Sequence, residues 1–423
     1  MGSPVPKTSK VSTFAKLFVS GVLLASCGGT EATSPAPRPI TEPTLSKLEP
    51  IVPFPMGTPN GMTIQAANNN LDVIVHDGRT FLAWRTAPTH FASLDTELHV
   101  VSEGPEGFRF EGTFALGTDL REPRFLEIAG KLVLYFAVLG KDSQKFEPQG
   151  MKITEYQAPG VWTSPEWGYE PGFIPWRARV FDGKAYLIGY IGGDNIYDKS
   201  GKPIEIHFLT TKDGHTFAPV IPGKPIVQTG GGSETDFTFL GDGSLVAVTR
   251  NEAGDAAFGF GSKICRAQPS DLSAWKCKTD PKKYDSPLVF RHGEEVYLVG
   301  RRNMTESGNY DLGASDLSYL EQQQKYEVDY SFNPKRCSLW KVDPDALTVS
   351  FVLDFPSRGD TCFASELASS KNPDEVMIYN YSNFLDGDYD CKSWPAECAA
   401  IDWFVGQGRP TMIYRVGLTF PKN

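Results

Sequence analysis

The chain has 423 residues, with 41 Lys and Arg against 51 Asp and Glu, and a net charge of −10 at pH 7. That acidic balance argues against a nucleic-acid partner, because phosphate binding calls for a basic face. The length exceeds a usual single domain, and 12% aromatics with 41 Gly and 32 Pro suit a repeat architecture of many short strands and turns.

The first 27 residues read as an export signal. Lys7, Lys10 and Lys16 give a positive start without an acidic residue, and an apolar stretch follows from Leu17 to Ala25. That stretch is too short to span ~30 Å of hydrocarbon as a helix. A positive flank, a short apolar core and small residues before the cut describe a secretion signal. The end, Leu24-Ala25-Ser26-Cys27, resembles the lipobox of bacterial lipoproteins. The resemblance implies that Cys27 is acylated, becomes the new N-terminus and is the only membrane anchor. Removing residues 1–27 takes away three lysines and no acid, so the charge moves to −13. Gly28, rather than Asp, follows the lipidated Cys and points to the outer membrane or cell surface.

Residues 28–56 read as a tether. The run holds Pro35, Pro37, Pro39, Pro43, Pro50, Pro53 and Pro55 among Ser and Thr. Such a stretch buries too little apolar surface to order itself, and its prolines keep it extended. Residues 57–423 are then the folded domain, expected to be monomeric.

Six hairpins follow in chain order: 71–85, 122–138, 176–190, 234–250, 285–302 and 363–381. Each joins two apolar strands through a tight turn. The turn glycines Gly78, Gly130, Gly183, Gly243 and Gly293 are spaced by 52, 53, 60 and 50 residues. The sixth turn has Asn372-Pro373-Asp374 instead. Two-residue turns of the Asp-Gly kind need positive φ, which Gly supplies without a Cβ clash. Further strands are expected at 97–103, 204–211 and 411–420, and helices should be few because no segment sustains an apolar period of 3.6. The period matches four-stranded propeller blades. The expected fold is all-β, a six-bladed β-propeller, with a five-bladed ring as the alternative.

Besides Cys27 there are six cysteines. An even number in an exported chain suggests disulfides, although sequence leaves connectivity open. Pairing of near neighbours gives Cys265 with Cys277, Cys337 with Cys362 and Cys391 with Cys398. No C-x-x-C pair supports a zinc site.

In a propeller, the residues leading into the first strand of each blade and leaving the second lie on one face of the ring. Arg85, Tyr190, Arg250, Arg301, Arg302, Tyr379 and Tyr381 leave second strands. Arg121, Glu122, Arg177, Glu234, Asp236 and Asp285 lead into first strands. Arginines and carboxylates over a concave channel suit an anionic or polyhydroxylated ligand, with Arg as a bidentate clamp. Taken singly, each residue equally fits an ion pair closing the ring. Trp84, Trp176 and Tyr190 are sugar-stacking platforms or core aromatics on the same evidence.

The segment Ser233-Glu234 through Arg250 resembles the sialidase stretch in which a Glu precedes a D-G turn and an Arg follows it. The resemblance implies a Glu that assists a tyrosine nucleophile and an Arg of a carboxylate-binding triad, with Arg301 as another candidate member. Residues 210–217 resemble a degenerate Asp-box, with Lys212 where the Asp is expected. Two features depart from the family. The segment where the nucleophile belongs, Asp360-Thr361-Cys362-Phe363-Ala364-Ser365-Glu366, has no Tyr. The only Arg-x-Pro, Arg121-Glu122-Pro123, opens the second repeat rather than the first. A pair of carboxylates can also run glycoside hydrolysis, and Glu234 with Asp236, Asp285 or Glu122 are the candidates.

No cofactor is expected. The alternating Asp386, Asp388 and Asp390 suggest a structural calcium, but Cys391 stands where an EF-hand-like loop needs Gly, so a solvated acidic turn is the first expectation. His90, His207 and His215 lack zinc-ligand spacing. Two functions remain: a carbohydrate-active hydrolase of the cell envelope, or a non-catalytic propeller binding glycan or protein there.

Overall fold

The computed structural model describes residues 42–142, 145–197, 202–386 and 400–422. Residues from Thr41 onward form one compact unit. Its strands are arranged as six antiparallel sheets, the blades of a six-bladed β-propeller, and the five-bladed alternative falls away. Blades 1 to 5 cover 67–114, 120–168, 174–230, 235–280 and 288–354. Blade 6 combines 358–384 and Met412–Thr419 with two N-terminal strands, Thr44–Leu45 and Glu49–Val52.

All six expected hairpins form the first two strands of their blades. Ala67–His76 pairs with Arg79–Ala87, and Ile174–Phe181 with Lys184–Ile191, for example. At both turns the Asp and the Gly take positive φ: Asp77 48° with Gly78 71°, and Asp182 48° with Gly183 72°. That is the I′ geometry whose twist matches paired strands. The strands expected at 97–103, 204–211 and 411–420 appear as Glu97–Gly104, Ile204–Thr211 and Met412–Thr419.

The expected tether ends too late. Thr44 and Leu45 pair with Thr419 and Leu418, and Glu49 with Arg415, so this segment is edge strand rather than spacer. Pro50 and Pro53 are tolerated because the strands they join lie at the edge of a sheet. The start of blade 1 is stitched to blade 6 by Thr411, whose Oγ1 accepts from Asn68 N at 2.6 Å and donates to Asn68 O at 2.8 Å.

Blades pack through their apolar faces. Phe237 is fully buried, 4.9 Å from Phe208 and 5.9 Å from Phe181. Burying each such side chain contributes roughly 1.5–3 kcal/mol. Trp84 and Trp176 are core aromatics, 0% and 1% exposed, not sugar platforms. Cys265–Cys277 joins facing residues of two strands in blade 4, and Cys337–Cys362 ties blade 5 to the start of blade 6, as nearest-neighbour pairing expects. Cys391–Cys398 lies outside the described residues.

One helix of length was not foreseen. Tyr319–Ser331, capped by Ser318 and Glu321, sits in an insertion between the second and third strands of blade 5. Its sequence is mostly polar, and Tyr326 and Tyr330 are the residues it buries. Among the described residues no helix is long and apolar enough to cross a membrane.

Candidate functional site

Ion pairs at the centre of the ring fall into two groups. The first is a girdle on the innermost strands. Asp236 Oδ2 contacts Arg177 Nε at 3.1 Å and Arg179 Nη2 at 3.0 Å and accepts from Val289 N at 2.8 Å. Its Oδ1 accepts from Phe237 N at 2.7 Å. Asp72 repeats the pattern in blade 1, accepting from Phe125 N at 2.8 Å and Ser365 Oγ at 2.7 Å, with Arg177 Nη1 at 3.5 Å. Each carboxylate thus takes a backbone N–H from the first strand of the next blade. Asp236, a candidate catalytic carboxylate on sequence, and Arg177, a candidate ligand-binding arginine, are engaged in joining blades.

The second group surrounds a cavity of about 140 Å³ on the face expected from sequence. Arg121, Glu122, Tyr190, Glu234, Arg250, Arg301 and Tyr381 line it, drawn from blades 2 to 6. The backbone aims several of these groups. The pairing register slips between Asn69 and Leu71 and between Arg121 and Arg124, leaving Asn70 and Glu122 in the left-handed region, φ 46° and 52°. Ser286, just before the first strand of blade 5, has φ 50°. Such a conformation costs a non-glycine residue about 1–3 kcal/mol, and a bulge re-aims the side chain it carries.

Glu234 is the best-defined group. Its Oε2 accepts the Ser286 N–H at 2.7 Å, and its Oε1 lies 2.9 Å from Arg250 Nη1. Burial raises its pKa; Arg250 opposes the shift, and the carboxylates of Asp285 and Glu122 add to it, leaving the value at about 7. Burial also raises Glu122, against Arg124 and Arg121. Glu122 Oε1 accepts from Asn70 Nδ2 at 3.1 Å, while Oε2 is buried without a hydrogen-bond partner. Two carboxyl groups that disfavour each other's charge take up protons in sequence, so one is neutral where the other is ionised.

Asp285 does not line the cavity. Its Oδ2 lies 2.8 Å from Arg301 Nη1 and accepts from Tyr330 OH at 2.6 Å. Burial pushes its pKa up, but Lys283, Arg301 and Arg250 outweigh that and hold it at about 2. It is a positioning anion for the arginines. Arg85 is fully buried against Asp119, 2.9 Å away, which also holds Arg121 Nε at 2.6 Å. Tyr379 faces Arg415 across two paired strands and does not line the cavity.

Sequence reasoning missed several neighbours. His90 Nδ1 meets Asp360 Oδ2 at 2.6 Å, and Tyr381 OH donates to Asp360 Oδ1 at 2.9 Å. The phenol absent from 360–366 therefore comes from the next strand of blade 6. Burial raises the Tyr381 pKa well above its usual value, and the Asp360 carboxylate adds to this, so it stays a hydroxyl donor. Trp403, on the short helix Trp403–Gln407, stacks on the Arg301 guanidinium at 4.9 Å. The repeat does not mark His90, Asp360 and Trp403, because they come from a loop, from a short strand before the sixth hairpin and from a helix of five residues.

Behind Arg250 lies a second acidic pair. Glu252 Oε2 is 3.0 Å from Arg250 Nη1, and its Oε1 accepts from Lys283 Nζ at 2.6 Å. Glu327, from the inserted helix, is pushed up to about 8 by burial and by Glu252. Among the described residues no group of three or more His, Cys, Asp or Glu could hold a metal ion. Asp386 instead meets Arg336 and Arg358, while Asp388 and Asp390 lie outside the described residues. In the degenerate Asp-box, Asp213 rather than Lys212 caps the turn, accepting from Thr216 N at 2.7 Å and His215 N at 2.9 Å.

No family model matches the sequence, and no curated protein matches it. Solved structures do resemble the fold. A protein of unknown function from Dyadobacter fermentans aligns with a TM-score of 0.53 at 13% identity, covering 84% of this chain and 95% of its own. Trypanosoma rangeli sialidase aligns at 0.50 and 12% identity, over 91% of this chain and 60% of the sialidase. An α-L-arabinanase from Penicillium chrysogenum aligns at 0.49 and 10%, over 88% and 98%. The chain is a six-bladed β-propeller with a sialidase-like fold.

Proposed function

We propose that this protein is a glycoside hydrolase of the bacterial cell envelope, held there by lipid on Cys27. The observation that carries the reading is the Glu234–Glu122 pair: two buried carboxyls with raised pKa facing one small cavity, with Arg121, Arg250 and Arg301 beside them. Glu234, neutral up to about pH 7, gives its proton to the glycosidic oxygen as the bond to the sugar breaks. Glu122, whose Oε2 has no hydrogen-bond partner among the described residues, faces the developing positive charge at the sugar as the second carboxylate, and the oxygen of a water molecule completes the reaction by bonding to that carbon. The arginines receive the acidic or hydroxyl substituents of the sugar. Tyr381 donates to Asp360 rather than acting as a nucleophile, which favours a two-carboxylate mechanism over the tyrosine route of sialidases.

The test is a hydrolysis screen on aryl glycosides, including a sialoside, with wild type beside Glu234→Gln. Turnover that the variant loses supports the reading. No turnover on any glycoside, with both proteins folded, moves the assignment to a glycan-binding propeller. Radiolabelled fatty acid incorporated into wild type but not Cys27→Ser supports the anchor; equal labelling contradicts it.

A further inference from the structure

The central cavity is smaller than the ~300–1,000 Å³ of sites that enclose a whole small ligand. It has room for one terminal group, and the rest of any substrate must lie outside it. The structure provides such a place on the same face.

Phe146 lines the central cavity and also a neighbouring hollow of about 570 Å³, bordered by Glu147, Gln149, Gly172 and Asp194. Glu147 and Gln149 in turn line a third hollow of about 520 Å³, which ends at Lys152 and Trp167. Successive hollows share lining residues, so they lie side by side and form a groove that leads from the central cavity across blade 2. Its floor is built of loops that leave second strands and lead into first strands. Gln149 N donates to Val138 O at 2.9 Å within blade 2, and Gly172 N, in the link to blade 3, donates to Gln149 O at 3.0 Å. Phe146 reaches the inner end because Gly193 has no side chain: a Cβ there would come within 2.9 Å of both Phe146 and Tyr190.

At the outer end, Trp167 is 59% exposed. Lys152 Nζ lies 4.1 Å from its ring centroid. An exposed aromatic ring above a groove with amide and carboxyl groups suits the alternating CH face and hydroxyls of a sugar chain. We infer that the groove from Phe146 to Trp167 binds the continuing residues of an oligosaccharide whose terminal residue occupies the central cavity. The substrate class is then a glycan chain rather than a monosaccharide conjugate. This rests on the proposed hydrolase reading for the direction of the chain, but not for binding itself.

The experiment uses the full chain as Glu234→Gln, alone and combined with Trp167→Ala, and calorimetric titration with xylo-, cello-, manno- and chito-oligosaccharides of one to six residues and with sialyllactose. Affinity should rise with length for at least one series, and Trp167→Ala should weaken the longer members about tenfold or more while leaving the shortest binder unchanged. Because Trp167 is exposed, its removal leaves the fold intact. Affinity independent of length, an equal loss at every length, or no binding to any probe overturns the inference. If length dependence holds while wild type hydrolyses nothing, the groove stands and the hydrolase reading fails. If wild type cleaves an aryl monoglycoside with no gain from longer chains, the reverse is true.

Discussion

Glu234 and Asp236 are two residues apart, one just before and one within the first strand of blade 4, both buried, both beside arginines, yet they do different work. Asp236 meets two guanidinium groups and two backbone N–H groups and does not line the cavity. Glu234 has one backbone donor and one arginine, faces a cavity, and sits among carboxylates that push its proton affinity up. Composition alone does not separate an ion pair that closes a ring from one that does chemistry. What separates them is whether a cavity lies in front.

The largest effect should come from Glu234→Gln, which we expect to lower kcat by ~10²–10⁴-fold while the protein stays folded. Stability gives a second readout. A carboxyl raised from 4.5 to about 7 binds a proton on folding, so its contribution is complete below pH 4.5 and is lost as pH rises through 7. Above pH 7 the Gln variant should melt no lower than wild type. A fall in melting temperature at pH 8 would place Glu234 with the girdle instead.

Asp236→Ala should do the opposite. Leaving Arg177 and Arg179 buried without their partner costs about 3–5 kcal/mol, read as a shifted urea midpoint, with kcat per folded molecule unchanged. A loss of turnover without a loss of stability would break the comparison from the other side.

Replacing Cys265 and Cys277 by Ala frees a span of 12 residues in blade 4 that belongs to neither group. The expected loss is about 3 kcal/mol, with no change in the pH dependence of turnover. The smallest effect belongs to Tyr330→Phe. It removes one donor to Asp285, worth ~1 kcal/mol, and should raise KM by less than tenfold through a looser Arg301, with kcat nearly constant.

Much of the fold was legible because turn chemistry is local. Gly78, Gly130, Gly183, Gly243 and Gly293 mark hairpins whose spacing is the blade repeat, and the observed strands follow it. The N-terminal strands were not legible. Thr44–Leu45 and Glu49–Val52 read as spacer, because their proline-rich composition says nothing about the open edge of Met412–Thr419 far along the chain. The helix Tyr319–Ser331 escaped for a related reason: it holds by Tyr326 and Tyr330 packed with Phe260 and Tyr310, and by the Tyr330 bond to Asp285, not by an apolar stripe. At the site, repeat position brought out Glu122, Glu234, Arg121, Arg250, Arg301, Tyr190 and Tyr381. It did not tell Arg85, Arg177, Asp236 and Tyr379 from them, since side-chain depth along a blade is invisible in a repeat. Nor did it reach His90, Asp360 and Trp403, which arrive from outside the hairpins.

The most direct measurement is a carbon-13 NMR titration of side-chain carboxyl groups, wild type against Glu234→Gln. A resonance that titrates near pH 7 in wild type and is missing from the variant is the predicted result. Titration of Glu234 between pH 4 and 5 would contradict the account, because the cavity would then hold an ordinary carboxylate with no proton to give at neutral pH.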